Sequence, residues 1–142
     1  QIGTYNFEIL KRDSMQNNKN AWSISNDYLN TPYLWGGKSI FGIDCSGFTQ
    51  VVYRLMGVEL PRDASQQQVF GEPIKFEDQK SGDLAFFQNE KNKVTHVGIV
   101  GADSKIIHAS GHVRIDSLKV TGIFNHETKT ITHVLHSIKR VE

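Results

Sequence analysis

The stretch Phe41-Gly42-Ile43-Asp44-Cys45-Ser46-Gly47-Phe48, continued by Thr49-Gln50-Val51-Val52-Tyr53-Arg54-Leu55-Met56-Gly57, decides how this chain is read. Apolar residues recur at helical spacing at Phe48, Val51, Val52, Leu55 and Met56, and Gly57 supplies a stop. The spacing predicts a buried helix whose first turn carries Cys45, the single cysteine of the chain. A helix N-terminus offers unpaired amide donors and partial positive charge, both of which favour thiolate, the nucleophilic form. A lone cysteine is also commonly a small core residue. On this segment alone both readings stand.

Working outward, the 142 residues suffice for one domain with a real core and fall short of two. The net charge is +1, with acidic and basic residues mixed. Without a basic run or an arginine-rich helix, a nucleic-acid partner is not expected. One cysteine cannot form an internal disulfide, so cysteine usage leaves the compartment open. No apolar stretch approaches the roughly 20 residues a membrane span needs. No signal peptide is visible, but the chain begins at Gln1 and not at Met. A leader, an anchor or an upstream domain is compatible with that start, so localisation is not read from it.

Residues 1 to 20 are polar and weakly patterned, and are read as an N-terminal extension or the remnant of an upstream module. Tyr5, Phe7, Ile9 and Leu10 suit one short strand or a strap. Residues 21 to 142 are read as the functional domain. Ala21, Ile24, Tyr28 and Leu29 predict a helix that ends at Thr31-Pro32. Residues 33 to 43 hold three glycines after two aromatics, an ordered loop in which backbone can approach closely. Asp63 to Gln68 predicts a short helix with Asp63 near its cap. The period then changes. Strands are expected at Leu84–Phe87, Val94–Gly101, Lys105–Ala109, Val113–Ile115 and Ile131–Val141, joined by turns. Helices first and antiparallel strands later is α+β order.

Two of the six histidines stand out. His96 lies in Thr95-His96-Val97-Gly98-Ile99-Val100, where Val97 and Ile99 share one face and His96, Gly98 and Val100 the other. His108 lies in Ile106-Ile107-His108-Ala109-Ser110. A three-residue loop, Ala102 to Ser104, pairs position 98 with 108 and 96 with 110, and sets both histidines on one face. A two-residue loop would separate them. Gly98 is expected to leave open space beside His96. A cysteine at a helix start and a histidine on a facing strand can form a thiolate–imidazolium pair, with His108 orienting the first imidazole. Two histidines and a cysteine can also bind zinc, but they lack close spacing and an evident fourth ligand. His112, His126, His133 and His136 are read as surface or packing residues.

Taken together, the segments resemble the NlpC family of bacterial cell-wall cysteine peptidases, a circularly rearranged papain-like fold. The matching runs are Thr31-Pro32-Tyr33-Leu34-Trp35-Gly36-Gly37, Gly42 to Phe48, Leu60-Pro61-Arg62-Asp63-Ala64-Ser65-Gln66-Gln67, Ser81-Gly82-Asp83-Leu84, Thr95-His96-Val97-Gly98-Ile99 and Ile107-His108-Ala109. The match runs in order over about residues 21 to 140, with the first 20 outside it. Its motif pattern is most similar to the γ-D-glutamyl-L-diamino acid endopeptidases. The resemblance implies N-terminal helices packed on an antiparallel β-sheet and no metal or cofactor.

It further implies hydrolysis of the amide between D-glutamate and a diamino acid, diaminopimelate or lysine, in peptidoglycan stem peptides. Cys45 would be the nucleophile, His96 the general base and then acid, and His108 the orienting member. Tyr33 would donate to the oxyanion alongside the Cys45 amide. Asp44, Ser46, Ser65 and Trp35 are read as substrate-binding, with Asp44 meeting the ammonium of a free N-terminal L-alanine. The competing reading of Asp44 is a helix cap. Expected partners are a stem peptide or muropeptide and an upstream cell-wall-targeting module. The expected location is secreted, periplasmic or cell-envelope associated, with cytoplasmic muropeptide recycling as the alternative. Rival functions are an amidase or acyltransferase on the same cysteine–histidine–histidine scaffold, or a non-catalytic wall-binding module.

Overall fold

The structure is a computed structural model that describes residues 20–39 and 42–141. The expected strand or strap at Tyr5 to Leu10 lies outside the described residues. Helix α1 (Ala21–Asn26) starts where Asn20 and Ser23 satisfy each other's orphan groups. The Ser23 amide donates to Asn20 Oδ1 at 2.9 Å and the Asn20 amide to Ser23 Oγ at 3.3 Å. The helix is shorter than its apolar spacing predicts, because residues 27–30 continue as turns. Helix α2 (Cys45–Leu55) stops before Gly57 and buries Phe48 and Val52 of the expected face, with Val51 and Met56 partly buried. Leu55 is exposed, and Tyr53, outside the expected set, is buried in its place. Helix α3 (Ala64–Gln67) follows Asp63, as expected.

Two-residue strands β1 (Lys38–Ser39) and β2 (Gly42–Ile43) form a small ribbon ahead of α2. The main sheet contains β3 (Glu72–Ile74), β4 (Leu84–Gln88), β5 (Val94–Val100), β6 (Lys105–Ser110), β7 (His112–Lys119), β8 (Gly122–Asn125) and β9 (Thr130–Arg140). Its order is β3-β9-β4-β5-β6-β7-β8, and β9 also pairs with β8. Strands β4 to β9 therefore close into an antiparallel ring, a closure the sequence did not reveal. One strand makes it: β9 runs beside β8 through Thr130 to Val134 and beside β4 through Val134 to Lys139.

Two cores follow from strand alternation. Leu84, Phe86, Val97, Ile99, Ile107, Ala109 and Val113 face outward and pack against α1 and α2. Ala85, Phe87, Val100, Ile106, Leu118, Ile123 and Ile138, drawn from all the ring strands, fill the ring interior. An α+β fold of helices on an antiparallel sheet is what the sequence order indicates. Strands β1 and β2, within the expected loop of residues 33 to 43, and strands β3 and β8 lie outside the strands expected from the sequence, and β7 is longer than Val113–Ile115.

Candidate active site

One carboxylate and one close backbone approach set the start of α2. Asp44 is its N-cap, and Asp44 Oδ1 accepts from the Gly47 amide at 2.7 Å. Gly47 has no room for a side chain, since a Cβ there would meet Gly37 O at 2.5 Å and Asp44 Oδ1 at 2.8 Å. The glycine-bearing loop thus lies directly on the first turn, as its composition suggests. Asp44 Oδ2 accepts from the Gly36 amide at 2.9 Å. Arg62 Nη1 and Nη2 donate to the same carboxylate at 3.2 and 2.8 Å, and Arg62 Nη1 also reaches Ser46 Oγ at 2.9 Å. Burial alone would raise the Asp44 carboxyl, but Arg62 and the Gly47 and Gly36 amides together hold it below the ordinary carboxylate range.

Each Asp44 oxygen therefore accepts two hydrogen bonds, which fills the roughly four acceptor positions of a carboxylate. The capping role is the one the hydrogen bonds describe. An ammonium could reach Asp44 only in competition with Arg62. Arg62 itself was quoted in a motif but given no role in the sequence reading. Its signal was available: a cation in a run that also carries a cap and a short helix.

The Cys45 thiol, 8% exposed, lies against the backbone of β5, and its proton is directed to Thr95 O at 3.8 Å and not to His96. This part of β5 is open to it, because the β5–β6 ladder ends at Gly98 with His108. Burial pushes the Cys45 thiol up, and the Asp44 charge adds to that. The amides of Val97, Ser46 and Cys45 pull the other way without offsetting it. The helix start acts in the expected direction, then, but desolvation wins. His96 is held well below the ordinary imidazole value, first by burial and then by His108 and His133. Both directions favour the uncharged forms of thiol and imidazole, against the thiolate–imidazolium pair expected from the sequence.

Gly98 pairs with His108, the register that a three-residue loop requires, and His96 and His108 share a face. His96 Nε2 and His108 Nδ1 are 2.9 Å apart. The space at Gly98 is not open, however. A Cβ there would meet Ile106 Cδ1 at 2.8 Å and His108 Cβ at 3.0 Å, so glycine lets the neighbouring strand's side chains close in. His108 Nε2 is 2.8 Å from Asp116 Oδ2, and Arg114 donates to both Asp116 oxygens at 2.9 and 3.2 Å. Burial opposes ionisation of Asp116, but hydrogen bonds from His108 and Arg114 hold its carboxyl below the usual range.

His133, read from the sequence as a surface or packing residue, is part of the cluster. Its ring lies 4.1 Å from that of His96 at 21°, and burial, followed by the nearby His108, lowers it to about 4. Phe87 underlies both rings, at 5.8 Å from His96 and 6.1 Å from His133. The imidazoles form an end layer of the ring interior. His96, His108 and His133 bring ligand nitrogens within 4.8 Å of one another, which suits a borderline cation such as zinc. Yet His96 Nε2 and His108 Nδ1 are spent on each other, and His108 Nε2 on Asp116. The donor set is arranged as a relay and not as a cage.

Cys45 opens into a cavity of about 520 Å³ lined by Tyr33, Trp35, Asp44, Ser46, Arg62, Ser65 and others. All four expected substrate-binding residues thus reach one cleft. Trp35, 85% exposed, stands on its rim. Burial raises the Tyr33 phenol, with Cys45 and Asp44 adding to it and Arg62 opposing, so the phenol stays a donor. Gln67 supports the floor: its amide donates to Ser46 O and Pro61 O at 3.1 and 2.8 Å.

A buried thiol at a helix start, set beside an imidazole relay on an antiparallel sheet, defines a domain of the papain-like cysteine hydrolase class. The NlpC/P60 family model matches residues 30–134, and the chain belongs to the NlpC/P60 family. Among curated proteins, a gamma-D-glutamyl-L-lysine dipeptidyl-peptidase of Bacillus subtilis is 43% identical over 84 residues, 58% of this chain and 28% of that protein. A gamma-DL-glutamyl hydrolase of the same organism is 34% identical over 116 residues, 73% of this chain and 28% of that protein. The chain thus spans less than a third of the length of these relatives. A crystal structure of an NlpC/P60 family protein from Bacillus cereus superposes with a TM-score of 0.71 at 32% identity, over 86% of this chain and 40% of that one.

Proposed function

We propose that residues 21–142 form the peptidase domain of a cysteine endopeptidase. Its substrate is the amide between the γ-carboxyl of D-glutamate and the diamino acid of a peptidoglycan stem peptide. The observation that carries this is the Cys45 thiol on the floor of an open cleft, beside the strand that presents His96 and its His108 partner. Support for the bond comes from the relatives, two of whose names specify a γ-glutamyl linkage. In the reaction, the Cys45 sulfur attacks the amide carbon as its proton passes to His96. The tetrahedral oxyanion takes hydrogen bonds from the Cys45 amide and the Tyr33 phenol. Collapse breaks the C–N bond, and the leaving amine takes the proton from His96. Water then attacks the thioester with His96 as base, restoring the thiol.

Burial of both groups favours their neutral forms, so in this reading the proton moves during attack. Arg62, Ser46, Ser65 and Trp35 give the cleft the polar and aromatic surface on which a short anionic peptide would rest. This work belongs to the cell envelope or to secreted protein, with an upstream module directing it to the wall. The test is incubation with L-Ala-γ-D-Glu-diaminopimelate, read by mass spectrometry. The expected products are L-Ala-D-Glu and free diaminopimelate, from wild type and not from Cys45→Ala. Cleavage elsewhere in the peptide, or by the alanine variant, overturns the reading.

A further inference from the structure

We infer that Asp116, clamped by Arg114, is a positioning residue that sets the tautomers of both relay histidines and so points a free lone pair of His96 away from His108. The inference rests on the proposed roles of Cys45 and His96. The observation is the hydrogen-bond chain itself, His96 Nε2 to His108 Nδ1 at 2.9 Å and His108 Nε2 to Asp116 Oδ2 at 2.8 Å.

An ionised carboxylate only accepts. His108 must therefore carry its proton on Nε2 and donate it to Asp116. A neutral His108 then has a bare Nδ1, which can only accept. His96 must in turn donate from Nε2, and its Nδ1 is left as the base. One charge, two side chains removed from His96, thus decides which of its nitrogens can take a proton. Inverting the chain would leave His96 with a proton on Nδ1 and no lone pair available there.

Register explains how the residue comes to be placed so. Strand β7 pairs Arg114 with His108 and Asp116 with Ile106, so Arg114 and Asp116 project on the face of β6 that carries His108. Asp116 is buried, at 7% exposure. The other groups that bear on His108 are His96 of β5, His133 of β9, and His112 and Arg114 of β7. Among the described residues, Asp116 is the carboxylate in direct contact with the relay. Arg114 donates Nε to Oδ2 and Nη2 to Oδ1, which fixes the carboxylate plane, and a second contact ties Arg114 to Glu127 at 3.4 Å.

Asp116→Asn separates this from simple packing. The amide is nearly the same shape but has no charge and a single acceptor oxygen. Asp116 Oδ2 meets both His108 Nε2 and Arg114 Nε, and Oδ1 meets Arg114 Nη2. An amide there must set its NH2 against a donor in either orientation, which loosens the hold on the His108 tautomer and through it on His96. The first measurement is 15N NMR of the imidazoles in the wild-type protein, which needs no turnover. Protons on Nε2 of both His96 and His108 are expected. A proton on Nδ1 of either ring overturns the inference, whether or not any variant folds. The second is the kinetics of Asp116→Asn on the γ-glutamyl peptide. A fall of about 10²-fold in kcat with little change in KM is expected, smaller than the roughly 10⁴-fold loss when the carboxylate touches the catalytic histidine directly. Wild-type kcat and unchanged tautomers in a folded Asp116→Asn protein also overturn it. If Cys45→Ala stays active, the proposed chemistry fails instead, and the two failures are told apart.

Discussion

The rings of His96 and His133 stack 4.1 Å apart and 21° from parallel, although the residues come from strands that are not neighbours in the sheet. Two imidazoles so close cannot both be protonated without strong repulsion. His133 therefore helps to keep His96 neutral, and a neutral His96 is what the attack step requires.

Replacing His133 by Phe keeps an aromatic ring on His96 and removes the competing charge. His96 then becomes easier to protonate. The acid limb of the kcat/KM profile is expected to move to higher pH, with the plateau nearly unchanged. A limb that stays in place or moves down would show that His133 does not bear on His96.

Stability should respond to acid through the same rings. His96, His108 and His133 all have folded values below the ordinary imidazole value, His133 at about 4. The unfolded chain takes up these protons near pH 6.5 and the folded protein only well below it. Their contribution is complete above about pH 6.5 and is lost as pH falls toward 4. Urea denaturation from pH 7 to 4 is expected to show a falling midpoint, less steep in His133→Phe. A flat midpoint would contradict the buried neutral state.

Cys45 is expected to react slowly with iodoacetamide at neutral pH and faster as pH rises past the ordinary thiol value of about 8.5. Burial is the cause, since it raises this thiol despite the helix start. Alkylation rates that are already maximal at pH 6 would restore the standing ion pair.

Asp44→Ala removes a helix cap and the partner of Arg62 together. The cap is worth about 1 kcal/mol, and a hydrogen bond to a charged group about 1.5–3 kcal/mol. A clear loss of thermal stability is expected. The rate ratio between free and N-acetylated L-Ala-γ-D-Glu peptides should stay as in wild type. If that ratio collapses while the melting temperature holds, Asp44 reads the ammonium after all.

Local pattern carried much of this. Helix α2 and its cysteine, the β4–β6 strands and the His96–His108 face all follow from periods of 3.6 or 2 and from one loop length. Asp116 escaped because Val113–Ile115 was read as a short strand that ended before it. Extending the same alternation would have put Arg114 and Asp116 on one face, but not shown which neighbour they met. His133 was beyond reach for a different reason. Its partner lies 37 positions earlier in the sequence, and what joins them is the closure of the ring, which no local period encodes. Burial of the thiol, which opposes the helix start, was likewise invisible in the local pattern.

The strand that closes the ring also fixes when the histidine cluster is complete. Until β9 docks, β4 and β8 present open edges and His96 lacks the ring that stacks on it. Pairings such as Glu72 with Arg140 and Leu84 with Lys139 demand long loop closures, which slow folding. On a ribosome, a growing chain that has reached Asn125 has made its thiol and both relay histidines but not the ring that stacks on His96. Competence to react should arrive late and all at once, with the last strand.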